Sequence, residues 1–131
     1  MQDFRKLKVW QKAHQLVLLY YELTRRFPKE ELFGLTSQMR RASVSIASNI
    51  AEGAGRRSNA DFARLLHVAQ GSASELEYQC LLSRDLEYLS TPQHTRFEAA
   101  IVEVRKMLTS LHGAVAGHTP GKASSPGPTK N

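Results

Sequence analysis

The stretch Leu35-Thr36-Ser37-Gln38-Met39-Arg40-Arg41-Ala42-Ser43-Val44-Ser45-Ile46-Ala47-Ser48-Asn49-Ile50-Ala51-Glu52-Gly53 decides the fold. Leu35, Met39, Ala42, Ile46 and Ile50, with Asn49 among them, recur every three or four positions, the period of a helix that buries one face. Nothing here alternates with the period of two that a half-buried strand needs. The spacing predicts a helix from about 35 to 52, with Gly53-Ala54-Gly55 as its stop.

Outward from this stretch the same period returns three times. Before it, Val9, Ala13, Leu16, Tyr20, Leu23 and Phe27 form a stripe with Trp10, Val17 and Thr24 beside it, stopped by Pro28. The connector 29–34 carries Leu32 and Phe33, expected beneath the bundle end. After it, Ser58 or Asn59 caps a third helix with Asp61 in its first turn. Phe62, Leu65, Leu66, Ala69, Ala73, Leu76 and Cys80 are its stripe, continuing through Leu86 towards Leu89. A helix of about 30 residues would extend about 45 Å. Gly71, among small residues, predicts the close approach of another backbone. Ser90-Thr91-Pro92 restarts the chain, and Phe97, Ile101, Val104, Met107, Leu108 and Leu111 define a fourth helix ending near Gly117. The expected architecture is all-α: an antiparallel up-and-down four-helix bundle over 1–116 and a disordered C-terminal tail, 117–131, rich in Gly, Pro, Ser and Lys.

The chain has 131 residues, enough for one domain, and its 41% hydrophobic and 23% charged residues are ordinary for a globular protein. A single cysteine excludes a disulfide framework, and the longest apolar run, Leu16 to Tyr21, is too short to span a bilayer. With no signal-peptide pattern at the N-terminus, a cytoplasmic location is expected. The net charge of +6 is unevenly spread. Residues 1–64 hold twelve Lys/Arg against six Asp/Glu, residues 65–116 hold four against six, and the tail adds Lys122 and Lys130. This polarity fits an acidic partner, and equally a contact between copies, basic half against acidic half.

Catalytic and metal-binding patterns are missing from the sequence. There is no Glu-x-x-His pair and no His-x-x-x-His, and the five histidines show no ligand spacing. Gly53-Ala54-Gly55 lacks the rest of a nucleotide fingerprint, no serine has a Gly-x-Ser-x-Gly context, and Cys80 lies on a core stripe. His94 and Glu98, one turn apart, read as a surface pair. Neither enzymatic activity, nor a cofactor, nor a metal is expected.

What remains is basic, small or polar. Arg40 and Arg41 open the second helix, Arg56 and Arg57 precede the third, and Arg64 follows one turn on. Guanidinium groups beside an uncapped helix N-terminus suit phosphate, and Lys8 and Lys12 would extend the same surface. No base-stacking platform is evident, so the expected contacts are to nucleic-acid backbone. Asn49 on its apolar stripe needs polar partners, for which Ser72 or Glu75 are candidates, with Glu52 on the flank. Leu18 and Tyr21, then Val44, Ala47 and Ala51, then Tyr78 and Leu82 leave a spare line on each of three helices, which points to an oligomer.

Several runs carry a resemblance. They are Phe4-x-x-Leu7-x-Val9-Trp10-Gln11-x-Ala13; Phe27-Pro28 with Glu31-x-Phe33-Gly34-Leu35; Gln38-x-Arg40-Arg41-Ala42-x-x-Ser45-Ile46-x-x-Asn49-Ile50-Ala51-Glu52-Gly53; and Gly71-Ser72-Ala73-x-Glu75-Leu76-Glu77. Over about residues 4–110 the chain resembles the four-helix-bundle family of proteins encoded within intervening sequences of 23S ribosomal RNA genes. That family also includes the accessory variability determinants of diversity-generating retroelements. The resemblance implies a homopentameric, barrel-like assembly without catalysis. In the retroelement branch it implies a basic surface engaging RNA or DNA and a reverse transcriptase, with Arg40, Arg41 and Arg56 at matching positions.

Overall fold

Each of the four apolar stripes becomes one side of a shared core. The computed structural model describes residues 2–117, in which the helices are α1 (Lys8–Thr24), α2 (Leu35–Ala54), α3 (Asn59–Asp85) and α4 (Thr91–Gly117). Short 3₁₀ turns at Phe4–Lys6 and Lys29–Glu31 precede α1 and α2. Neighbours in sequence pack against one another, and α1 closes the bundle against α4. Leu16, Tyr20, Met39, Ile46, Ile50, Leu66, Leu76, Phe97, Ile101 and Leu108 are fully enclosed between them. Among the described residues there is no strand. Gly117 ends α4, and the flexible tail expected after it, with Lys122 and Lys130, lies outside the described residues.

Local chemistry sets the helix ends. The Ser58 hydroxyl accepts from the Asp61 N–H at 3.1 Å, so α3 begins where a cap was expected. At α4 the capping is reciprocal: the Gln93 N–H donates to Ser90 Oγ, and the Ser90 N–H donates to Gln93 Oε1. The third helix is shorter than expected, 27 residues, because the chain turns back at Leu86–Tyr88. There the Glu87 N–H bonds the Arg84 carbonyl and the Tyr88 N–H bonds the Ser83 carbonyl, with Glu87 in the left-handed region at φ 64°. This is a Schellman closure with glutamate where glycine is usual. It folds Leu89 into the core, whereas Leu86, expected to continue the α3 stripe, is exposed.

Gly53 and Gly71 exchange the expected roles. Gly71 has nothing within 4 Å of where a Cβ would stand, so no backbone approaches it. Gly53 continues α2 instead of stopping it, and a Cβ there would lie 2.7 Å from the Phe62 ring and 3.3 Å from Leu65 Cβ. The close helix approach therefore lies at the start of α3, on Gly53.

Leu32 and Phe33 are not beneath the bundle end. Phe33 is 93% exposed, and Leu32 is exposed beside it. Glu31 takes the inward position, accepting from the Leu35 N–H and the Tyr88 hydroxyl, and this turns the two apolar side chains outward. His94 is buried rather than paired at the surface with Glu98, and its Nε2 has no hydrogen-bond partner among the described residues.

Candidate nucleic-acid interface

The basic residues expected to share one surface separate into two ends of the bundle. Arg40 and Arg41 lie in the second turn of α2, beside the end of α1. Arg56, Arg57 and Arg64 lie past the other end of α2, about 20 Å along its axis. Lys8, at the start of α1, belongs to that second end, where the Gln2 N–H also reaches the Ala54 carbonyl.

Ion pairing divides them further. Arg56 is held by Glu52 one turn back, and Arg64 contacts Asp61 at 3.6 Å. Lys12 reaches across to Glu103 on α4 at 3.3 Å. The Ser58 cap and Asp61 also occupy the start of α3, so it is not an open anion site. Arg25, Arg40 and Arg41 make no ion pair among the described residues, and at the other end Arg57 and Lys8 make none either. Arg41 donates to Ser37 Oγ at 3.2 Å, and Arg40 approaches the same oxygen at 3.5 Å. One hydroxyl thus gathers two guanidinium groups without neutralising either. Arg41 also lines a polar cleft with Gln38, Ser45, Ser72 and Glu75, where no ion pair to Glu75 forms.

The aromatic neighbour of these cations is Tyr21, which lines one open depression with Arg40, Arg41 and Val44 and an adjoining one with Arg25, Thr36 and Arg40. Its ring meets Tyr20 edge-on, centroids 5.0 Å apart at 74°. Tyr20 is anchored by donating to the Thr36 carbonyl at 2.6 Å. Burial pushes the Tyr20 hydroxyl above its ordinary range, partly offset by Thr24 and the Arg40 charge. Arg25 and Ser37 were not singled out from the sequence. Their signals were the Ser37-x-x-Arg40-Arg41 spacing and Arg25 one turn after Tyr21.

The polar residues expected inside lie mostly outside. Glu52 and Glu75 are exposed, because each falls a third of a turn or more off the α2 or α3 stripe. Asn49 is half-buried and bonds its own helix, donating to the Ser45 carbonyl at 2.8 Å and to Ser45 Oγ at 3.0 Å. Ser45 then meets Ser72 Oγ at 2.9 Å, so Asn49 reaches α3 only through a serine relay. The enclosed polar side chains are instead Thr24, Ser43, Gln79, Ser83 and His94.

Of the seven residues on the spare helix lines, Leu18, Tyr21, Val44 and Tyr78 are exposed. Ala47 and Leu82 are half-buried against the core, and Ala51 is half-buried. Ala47 and Leu82 thus also pack within the protomer. Among the described residues no group of histidine, cysteine and carboxylate side chains could hold a metal ion, and no helix is long and apolar enough to cross a membrane.

The fold has a solved counterpart. A crystal structure of a protein of unknown function from the S23 ribosomal protein family of Bacteroides thetaiotaomicron superposes with a TM-score of 0.74 at 28% sequence identity. The match covers 80% of this chain and 95% of that one. No curated protein matches the chain. The model of the 23S rRNA-intervening sequence protein family matches residues 5–110, which takes in all of α1, α2 and α3 and most of α4. The chain belongs to the 23S rRNA-intervening sequence protein family.

Proposed function

We propose that this chain is a non-enzymatic, oligomeric accessory protein that binds RNA or DNA through phosphate contacts from a basic surface. One observation carries the reading: Arg25, Arg40 and Arg41 cluster at one end of the bundle with no carboxylate paired to any of them. Uncompensated guanidinium groups are well suited to phosphate oxygens. Three of them on one protomer are a weak patch. The homopentamer implied by the resemblance would repeat it around a ring and build a substantial field. The test is titration of labelled RNA and DNA at rising salt. Affinity should fall linearly with the logarithm of salt concentration, and absence of binding even at about 50 mM would sink the reading.

A second reading is a self-assembling scaffold with no direct nucleic-acid role. It is favoured by the exposed apolar residues, with Leu18 56% and Tyr78 61% exposed in addition to Phe33. If Arg40→Glu with Arg57→Glu left RNA binding unchanged but broke the oligomer, this reading would be preferred. Light scattering that showed a monomer at micromolar concentration would overturn assembly in both readings.

A further inference from the structure

We infer that Tyr21 is a stacking platform for an unpaired nucleobase, so that the protein prefers single-stranded or bulged nucleic acid to uninterrupted duplex. The inference rests on the nucleic-acid reading above and narrows it to one conformation of the ligand.

The motivating geometry is the meeting of two surface depressions at Tyr21 and Arg40. On one side lie Arg41, Val44 and Ser48; on the other lie Arg25, Leu32 and Thr36. Tyr21 is 46% exposed, and Tyr20 holds its ring from one edge. The ring is therefore both accessible and braced. Cations on both sides suit a strand whose phosphates pass to either side of a base lying on the ring.

Only the cationic half of this site acts in the same way on a duplex. Phosphate contacts are available in both forms, but paired bases are already stacked and leave no face for the tyrosine. A protein partner on this face would have to bring carboxylates to three guanidinium groups, whereas a nucleic-acid strand supplies negative charge and an aromatic face together. Aromatic stacking is tolerant of sequence because every base has a π-face, so a preference for unpaired strands should come with little preference among bases.

The experiment compares four ligands by fluorescence anisotropy against the full chain. These are a single-stranded oligo-U and an oligo-dT of about 12 nucleotides, an abasic strand of the same length, and a blunt-ended duplex with the same number of phosphates. Oligo-U and oligo-dT should bind at least about fivefold more tightly than the abasic strand and the duplex. Tyr21→Ala should bring the base-bearing strands down to the abasic level and leave abasic binding unchanged, while Tyr21→Phe retains the preference. Equal binding of base-bearing and abasic strands by the wild type would overturn the stacking site and leave phosphate recognition standing. No binding to any of the four would overturn the broader reading as well. A Tyr21→Ala protein whose oligomeric mass differs from the wild type's would assign Tyr21 to a contact between copies and overturn the inference.

Discussion

The Tyr88 hydroxyl donates a 2.9 Å hydrogen bond to the Glu31 carboxylate, joining two turns of the chain that are 57 residues apart. The other oxygen of Glu31 accepts from the Leu35 N–H at 3.1 Å, so one carboxylate ties the α3–α4 turn to the first turn of α2. That hydrogen bond, more than any other influence, pushes the Tyr88 hydroxyl above its ordinary 10.0. A group whose folded pKa is raised contributes stability that is complete below the unfolded value and is lost as pH rises through the folded one. Tyr20 is shifted in the same direction by burial. Stability should therefore be insensitive to tyrosine ionisation up to about pH 10 and decline above it. Tyr88→Phe should lower the melting temperature at neutral pH and flatten part of the alkaline decline. Urea denaturation of both proteins at neutral and at alkaline pH is the check, and parallel curves would show that the Tyr88–Glu31 bond contributes nothing.

Gly71 and Gly53 predict opposite responses to alanine. At Gly71 the space is open and the position is mid-helix, so Gly71→Ala should stabilise by about 0.5–1 kcal/mol through helix propensity and unfolded-state entropy. At Gly53 a Cβ would stand 2.7 Å from the Phe62 ring, and the ring cannot retreat without moving α3 against α2. Gly53→Ala should destabilise by about 1–3 kcal/mol. Chemical denaturation of the two single variants decides this, and a stabilised Gly53→Ala would mean that the α2–α3 contact is looser than it stands here.

Much of the fold was legible because it depends on period alone. The stripes through Leu16, Ile46, Leu66 and Ile101 all reach the core, and Pro28, Ser58 and Ser90 mark boundaries by their own backbone chemistry. What stayed hidden depends on pairing across helices. The Glu52–Arg56 pair is local, four residues apart, and its spacing is in the sequence, whereas Arg41 meets only a serine. Lys12 with Glu103, and Arg105 with Glu77, are pairs that only the folded bundle brings together. The α3–α4 reversal was unreadable for another reason, because Glu87 occupies a conformation that sequence reasoning assigns to glycine.

That residue carries the third prediction. Glu87 holds a left-handed conformation at the C-terminal closure of α3 with its side chain exposed. Glycine there would relieve the steric cost of the Cβ, offset in part by the greater freedom of glycine in the unfolded chain. Glu87→Gly should raise stability by about 0.5–1 kcal/mol with no change in nucleic-acid binding. A loss of stability would show that the Glu87 side chain makes a contribution larger than the backbone strain.

Cys80 supplies a probe of core integrity. It is fully buried, and burial is the main cause that pushes its thiol up to about 12. At pH 8 its thiolate should be roughly a thousandfold scarcer than that of an exposed cysteine, and burial blocks the approach of a reagent besides. The native protein should therefore resist thiol-specific labelling at neutral pH and react fully once unfolded in urea. Rapid labelling of the native chain would indicate that the α3 stripe opens locally.

The division of the arginines gives a final, quantitative expectation for binding. If Arg40 and Arg41 each neutralise one phosphate, replacing both with glutamine should reduce the slope of log affinity against log salt by about 1.4–1.8, at about 0.7–0.9 per contact. Arg56 begins with its charge committed to Glu52, about 20 Å away along α2, so Arg56→Gln should leave that slope nearly unchanged. Glu52→Gln separates the remaining possibilities. It frees Arg56 without removing a cation, and it should strengthen binding only if the nucleic acid runs along α2 as far as its C-terminal end. Equal loss of slope in Arg56→Gln and in either single variant, Arg40→Gln or Arg41→Gln, would mean that the ion pair opens on binding. The footprint would then extend along the whole of α2 rather than staying at the Tyr21 end.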